Sequence, residues 1–279
     1  MTKLNCLAFT AACLVAAPAA AQTAPPADLV VTGSVAITTD YRLRGVSQSD
    51  NKPAVQGGFT ATYKQGAYAG LWASNLGGWG TFGGPNLELD LLGGFKHSFG
   101  GTTIDAGLTW YMYPGGADKT DYAEPFVKVS HTVGPANLLV GIAYAPSQQA
   151  LGRWYDTGAA YAAGVVDHPN AKNDNTYLWG DLGVGIPGTK ATAKAHLGHS
   201  WGNRGLGPNG TSVAPTGSYT DWLLGVDYAL YGPVTLGFAY VDTSIGRRRS
   251  AYLLPSFSQS ETGGSIAGSR FVFTATASF

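Results

Sequence analysis

The chain has 279 residues, of which 44% are apolar, only 12% are charged and 40 are glycine, and its formal net charge is zero. Electroneutrality argues against nucleic acid as a partner, and so low a charge content is unlike a soluble surface, where about a quarter of residues are charged. Both cysteines, Cys6 and Cys13, fall in an N-terminal segment expected to be removed, so no disulfide, cysteine metal ligand or thiol nucleophile is expected in the mature chain.

Residues 1–21 read as a secretory signal peptide. Lys3 supplies the positive start, Leu4 to Ala17 the apolar run, and Ala19-Ala20-Ala21 a small-residue cleavage site before Gln22. The run is too short, and wrongly flanked, for a transmembrane helix. A lipoprotein box at Cys13 is the competing reading, although Thr10-Ala11-Ala12 lacks the usual large aliphatic residue. Residues 22–29, with Pro25 and Pro26, form a short periplasmic leader, and residues 30–279 a single all-β domain.

Within that domain short apolar–polar alternations recur, the signature of strands with unlike faces. They predict twelve strands, at 30–42, 53–63, 67–75, 86–98, 102–113, 121–132, 136–145, 176–186, 189–201, 218–231, 233–242 and 270–279. The connections alternate too. Tight turns such as Lys64-Gln65-Gly66, Gly134-Pro135 and Gly232-Pro233 follow every second strand. Long loops follow the others, the longest being 146–175 and 243–269. Short turns on one rim, long loops on the other and an even strand number are the pattern of an antiparallel up-and-down barrel in an outer membrane. Both termini then lie on the short-turn, periplasmic side, and the long loops are extracellular. No window of 18 apolar residues exists for a spanning helix, so strands must do the crossing.

Parity assigns faces. In strand ten Trp222, Leu224, Val226, Tyr228 and Leu230 point to lipid, with Asp221 and Asp227 inward. Strand five sets Ile104, Leu108 and Trp110 against Asp105, and strand four sets Leu87, Leu89, Leu91 and Phe95 against Glu88 and Asp90. The same alternation puts Glu124, Asp181 and Lys194 in the lumen. Strand three is ambiguous in parity, and Pro125 is a defect to be placed near a rim. Two aromatic belts are expected, with Tyr41, Trp110, Tyr144, Trp201, Trp222 and Tyr240 on the extracellular side and Tyr63, Phe95, Tyr228 and Phe279 on the other. The last strand alternates without a fault and stops on Phe279. A terminal aromatic on an amphipathic strand resembles the signal read by the barrel-assembly machinery, and it is expected to pair with strand one.

Thr38-Thr-Asp-Tyr-Arg-Leu-Arg-Gly-Val-Ser-Gln-Ser-Asp50, followed by Pro53-Ala54 and Gln56-Gly57-Gly58, resembles the opening of the TorF-type porins of proteobacteria, the Gcw_chp domain. Gly66-Ala-Tyr-Ala-Gly-Leu-Trp-Ala-Ser-Asn75 and Asn86-Leu-Glu-Leu-Asp-Leu91 look like later blocks of that family. The resemblance covers roughly residues 30–95, with Leu43 standing where the family usually has an aromatic. It implies an outer-membrane barrel, and fixes location better than activity.

Catalytic constellations are poor. In Gly198-His199-Ser200-Trp201-Gly202-Asn203 the adjacent His and Ser point to opposite faces of one strand and cannot share the hydrogen bond that a nucleophile and base need. The histidines have no metal spacing, no glycine pair opens a helix as a phosphate loop would, and neither cofactor nor metal is expected. The expected function is a narrow passive channel for small polar solutes. The alternatives are a structural or adhesive barrel with an occluded lumen that acts through its loops, and a lipid-modifying enzyme. Arg247-Arg248-Arg249, in the last long loop, is read either as a solvated run, as a contact for lipopolysaccharide phosphates, or as a collector of anions. The loop at 146–175 is expected to fold over the mouth or inward as a plug. Arg42, Arg44 and Arg270 should form a basic patch at the seam of the ring, with Glu88, Asp90 and Glu124 across from it. The two sets either create a transverse field or meet in salt bridges that brace the lumen.

Overall fold

The computed structural model describes residues 28–84 and 86–279; the expected signal peptide and all but the last residues of the leader lie outside the described residues. Twelve long strands form one closed antiparallel ring: β1 (Leu29–Thr38), β2 (Ala54–Tyr63), β3 (Ala67–Asn75), β4 (Leu87–Phe99), β5 (Thr102–Met112), β6 (Tyr122–Val133), β7 (Ala136–Gln148), β8 (Asn173–Gly185), β9 (Ala191–Trp201), β10 (Tyr219–Tyr231), β11 (Val234–Thr243) and β12 (Arg270–Ser278). Each strand pairs with its neighbours in sequence, and β12 returns to β1 with Ser278 opposite Ser34 and Thr274 opposite Thr38. Phe279 extends this seam by two backbone hydrogen bonds with Gly33, of 2.8 and 2.9 Å. Closure pairs each strand with two neighbours and leaves no strand as an open edge, as a bilayer demands.

The alternation of faces follows the expected parity. Leu91, Phe95, Ile104, Leu108, Trp110, Leu224, Val226, Tyr228, Phe271 and Phe273 stand exposed on the outer wall, while Glu88, Asp90, Glu124, Asp221 and Asp227 are buried inside. Strand β3 resolves with Trp72 and Ser74 inward. The outer-wall carboxylates Asp174 and Asp242 sit at the loop ends of their strands, where the hydroxyls of Tyr144 and Tyr240 donate to them at 3.0 and 3.1 Å. An apolar band outside and a polar, ionisable interior invert the plan of a soluble barrel.

Pro125 is the fourth residue of β6, close to the loop rim, and pairing with β7 begins only at Phe126. Above it the side chain of Gln148 stands in for the missing rungs. Its Oε1 accepts from the Ala123 amide at 2.8 Å and its Nε2 donates to the Ala123 carbonyl at 2.9 Å.

One boundary departs from expectation with consequences. Strand one was expected to run to residue 42, with Tyr41 outward in an aromatic belt. It ends at Thr38, and the chain turns into the ring. Tyr41 is buried and packs edge-on against Trp72, centroids 5.4 Å apart, so it does not belong to the belt. Arg42–Leu43 and Val46–Ser47 then pair as a miniature hairpin inside the barrel.

Candidate functional site in the lumen

The hairpin turns on Arg44 and Gly45, both at positive φ (49° and 77°), the backbone of a two-residue type I′ connection. Gly45 is required twice over. Its φ suits glycine, and a Cβ there would overlap Thr243, at the end of β11, and Asp221, on β10. Arg44 has no such excuse: a buried, non-glycine residue in the left-handed region is held there by its surroundings.

Those surroundings span the ring. Arg44 Nη2 donates to both Glu124 oxygens, on β6, at 2.6 and 2.7 Å, and Nη1 donates to Asn175 Oδ1, on β8, at 2.7 Å. Its guanidinium lies 4.2 Å from the centroid of Tyr177, and its carbonyl accepts from Tyr219, on β10, at 3.1 Å. Both charged side chains are almost wholly buried, at 3% and 4% exposure. A pair this dry stabilises only because geometry and extra hydrogen bonds replace the lost water.

The foot of the hairpin is tied at the seam. Arg42 donates to Asp40 at 2.7 Å and to the carbonyls of Gly45 and Gly268 at 2.8 Å each. Arg270 reaches the same Asp40 at 3.6 Å and the Asn51 carbonyl at 2.9 Å. The expected three-arginine patch is therefore divided: Arg42 and Arg270 share Asp40, while Arg44 crosses to the far wall. Asp50 receives the Ser260 amide at 2.8 Å and the Ser260 hydroxyl, and the Ser47 amide donates to the Ile266 carbonyl at 2.8 Å. Glu88 and Asp90 are buried on β4, opposite Ser74 and Trp72 in register.

Other lumen charges pair along the wall toward the turn rim. Lys128 meets Asp105 at 3.0 Å, which also accepts from Tyr68 at 2.7 Å, and Lys194 meets Asp227 at 2.5 Å. His196 sits between Asp181 (2.6 Å) and Asp221 (3.1 Å), with the Tyr177 hydroxyl 2.9 Å away. His196, Tyr177, Asn175 and Asp40 were not among the expected site residues. Inward parity was available for His196, Tyr177 and, beside an outward Tyr41, Asp40, whereas Asn175 fell in the expected loop; only the position of the hairpin makes Asn175 and Tyr177 partners of Arg44.

Apolar side chains from the loops close over the plug. Tyr41 and Leu43 share a buried cluster with Trp72, Phe82, Tyr111, Tyr113 and Leu151. Val46 joins Trp79, Tyr155, Leu206, Leu253, Phe257 and Ile266 in a second. The loop after β7 thus forms part of the cover, and the loop after β1 is the plug. At the outer surface of that cover Arg153 donates to Asp156 at 2.6 Å and holds its carboxyl below the usual range. Arg247-Arg248-Arg249 opens a short helix (Arg247–Ser250), with Arg247 and Arg248 exposed and Arg249 donating to the Thr216 carbonyl at 3.4 Å.

Ser200 is fully buried inside the ring beside Asn175, whereas His199 takes the other face, 2.8 Å from Thr220 Oγ1 and packed on Trp201. The two do not form a nucleophile–base pair. Among the described residues no group of three His, Cys, Asp or Glu side chains could hold a metal ion.

A family model described as a bacterial protein of unknown function (Gcw_chp) matches residues 20–279. Among curated proteins none matches the chain in sequence. A solved structure from work on the in-meso crystallization of membrane proteins superposes with a TM-score of 0.51 over 89% of this chain and 83% of its own, at 9% identity. OmpT, an outer membrane protein of Vibrio cholerae, aligns over 90% of this chain and 99% of its own, at 10% identity and a TM-score of 0.41. The outer membrane channel DcaP of Acinetobacter baumannii aligns over 90% and 97%, at 11% identity and a TM-score of 0.38. The first of these supports a shared barrel architecture, and at such identities the likeness extends no further.

Proposed function

The chain belongs to the Gcw_chp family of bacterial proteins of unknown function, and on that premise we propose a porin-like barrel of the Gram-negative outer membrane, a conduit for small polar solutes that its own first loop holds closed. The observation that carries this reading is the Arg44 clasp. The plug is fixed at its tip by side-chain hydrogen bonds to Glu124 and Asn175, and continues no strand of the ring. Contacts of that kind can be exchanged for water and re-formed. Below the clasp the wall is lined with ionisable pairs, which suits a wet lumen rather than a packed core. The TorF-type label, carried by residues now seen to build β1, the plug and β2 to β4, is part of this proposal.

In this proposal the long loops face outside, the termini are periplasmic, and Phe279, bonded to Gly33, serves as the assembly signal. The exposed Arg247 and Arg248 meet lipopolysaccharide phosphates; unchanged lipopolysaccharide binding after both are replaced by glutamine would remove that contact from the account.

One observation favours a second reading. The loops share buried apolar clusters containing Leu206, Leu253, Phe257 and Ile266, which would equally suit a sealed barrel acting through its outer surface. Proteoliposome swelling in small sugars separates the two. Wild-type protein should swell slowly, and a variant with residues 42–47 replaced by a short glycine–serine linker should swell fast. Equal, slow swelling by both would leave the sealed barrel, and equal, fast swelling would rule out a closed state.

A further inference from the structure

We propose that the clasp of the plug is a binding site for small monosubstituted guanidinium solutes, and that Arg44 occupies it from within the chain whenever the hairpin is seated. The acceptors belong to the wall, not to the plug. Glu124 on β6 offers both carboxylate oxygens, at 2.6 and 2.7 Å from the Arg44 head group, and Asn175 on β8 offers Oδ1 at 2.7 Å. Tyr177 on β8 adds the face of its ring, 4.2 Å from the guanidinium carbon. Other wall groups hold these in place. The Asn175 amide donates to the Trp201 carbonyl at 2.9 Å and to Ser200 Oγ at 3.3 Å, which leaves its oxygen to face Arg44. Tyr177 stacks on Trp179, centroids 5.4 Å apart, and its hydroxyl donates to Asp221 at 3.1 Å. Groups fixed before binding lose little order when a ligand arrives.

Charge and geometry narrow the class. The segment Arg42–Ser47 carries two arginines and no carboxylate, so a plug that leaves removes only positive charge and strands the buried carboxylate of Glu124. Lys128 lies beneath the hairpin too, but it is engaged by Asp105 at 3.0 Å and does not replace Arg44. A buried carboxylate left without its cation is costly, and a cation from solution relieves that cost. A planar fork reaches Glu124 and Asn175 together while its face lies over the tyrosine, whereas an ammonium is a compact point charge. Nε of Arg44 makes no hydrogen bond, so the two terminal nitrogens suffice and the third can carry a substituent. Because solute and Arg44 exclude each other, a bound solute also favours the unseated plug.

The site stands apart from the conduit reading; only the release of the plug rests on it. Calorimetric titration of the detergent-solubilised barrel with methylguanidinium, and with methylurea as its neutral planar counterpart, tests the site. Arg44→Ala empties the clasp and should bind methylguanidinium saturably at one site. Methylurea should be weaker by about tenfold or more, as charge-assisted hydrogen bonds require. Wild-type protein should bind about tenfold or more weakly than Arg44→Ala, since tethered Arg44 competes at an effective concentration of about millimolar or above. Adding Glu124→Gln to Arg44→Ala should weaken methylguanidinium by about tenfold or more. The barrel with residues 42–47 replaced by the linker is titrated in parallel, so the result does not hang on how Arg44→Ala folds. No saturable binding to either emptied barrel, equal binding of methylurea, wild type binding as tightly as Arg44→Ala, or affinity unmoved by Glu124→Gln would overturn the site. Methylguanidinium at about millimolar concentration should also speed the swelling of wild-type proteoliposomes. Binding to the emptied barrels without faster wild-type swelling would remove the release and leave the site; fast swelling of the linker variant without binding would leave the conduit and remove the site.

Discussion

Arg44 concentrates the chemistry of the plug in one side chain. It adopts a backbone conformation that disfavours it, is nearly dry, and bonds to two strands on the far wall. Removing one partner of such a pair strands the other, at a typical cost of about 3–5 kcal/mol, whereas removing both together is often close to neutral. Urea unfolding in detergent should therefore show Arg44→Gln and Glu124→Gln each strongly destabilised and the double variant far less so than their sum. Strict additivity would mean that the two groups do not act as a pair. The sequence marked both residues as lumen groups and left open whether they would set up a field or brace the lumen; the direct contact is the bracing arrangement. It could not show which arginine crosses, because reading strand one through to residue 42 kept all three arginines on the same wall. An Arg-Gly pair flanked by Leu43 and Val46 was the available sign of a turn, weaker than the Asn-Gly or Asp-Gly that usually announces one.

At the level of elements, strands were legible and loops were not, for one physical reason. A strand's face pattern is written in its own residues with a period of two, so β4, β5, β10 and β12 could be oriented from sequence with no knowledge of their neighbours. The hairpin is shaped by residues far along the chain, such as Ile266 beside Ser47 and Ser260 beside Asp50. That is why Tyr41 was assigned to an outer belt and is found inside. Gly45 gives the element its sharpest test. Valine there is strained at φ 77° and collides with Thr243 and Asp221, so Gly45→Val should expel the hairpin while the ring remains. Trypsin added to intact cells should then cut after Arg42 and Arg44 in the variant but spare those sites in the wild type, where cleavage falls at exposed outer-loop residues such as Lys119, Arg153, Lys172, Arg247 and Arg248. Cutting at Lys64 in wild-type cells would invert the orientation, and an uncut variant would mean that the plug is not held by this turn.

The whole molecule joins two demands that pull apart. Lipid outside requires apolar side chains on the outer wall and a ring with no free edge, and β1 through β12 meet both. The interior that results is polar, and at its loop end a hairpin fills it, tied to the ring by the Arg44 clasp and to the cover by apolar packing. A channel built in this way should spend most of its time shut and open when the clasp lets go. Single-channel recording in planar bilayers tests that most directly. Wild-type protein should give rare, brief openings, and Arg44→Gln should raise the fraction of time open without changing ion selectivity by much, since the wall charges remain. A wild-type barrel that conducts steadily at the same level as Arg44→Gln would contradict the account, because the hairpin would then not be what closes the lumen.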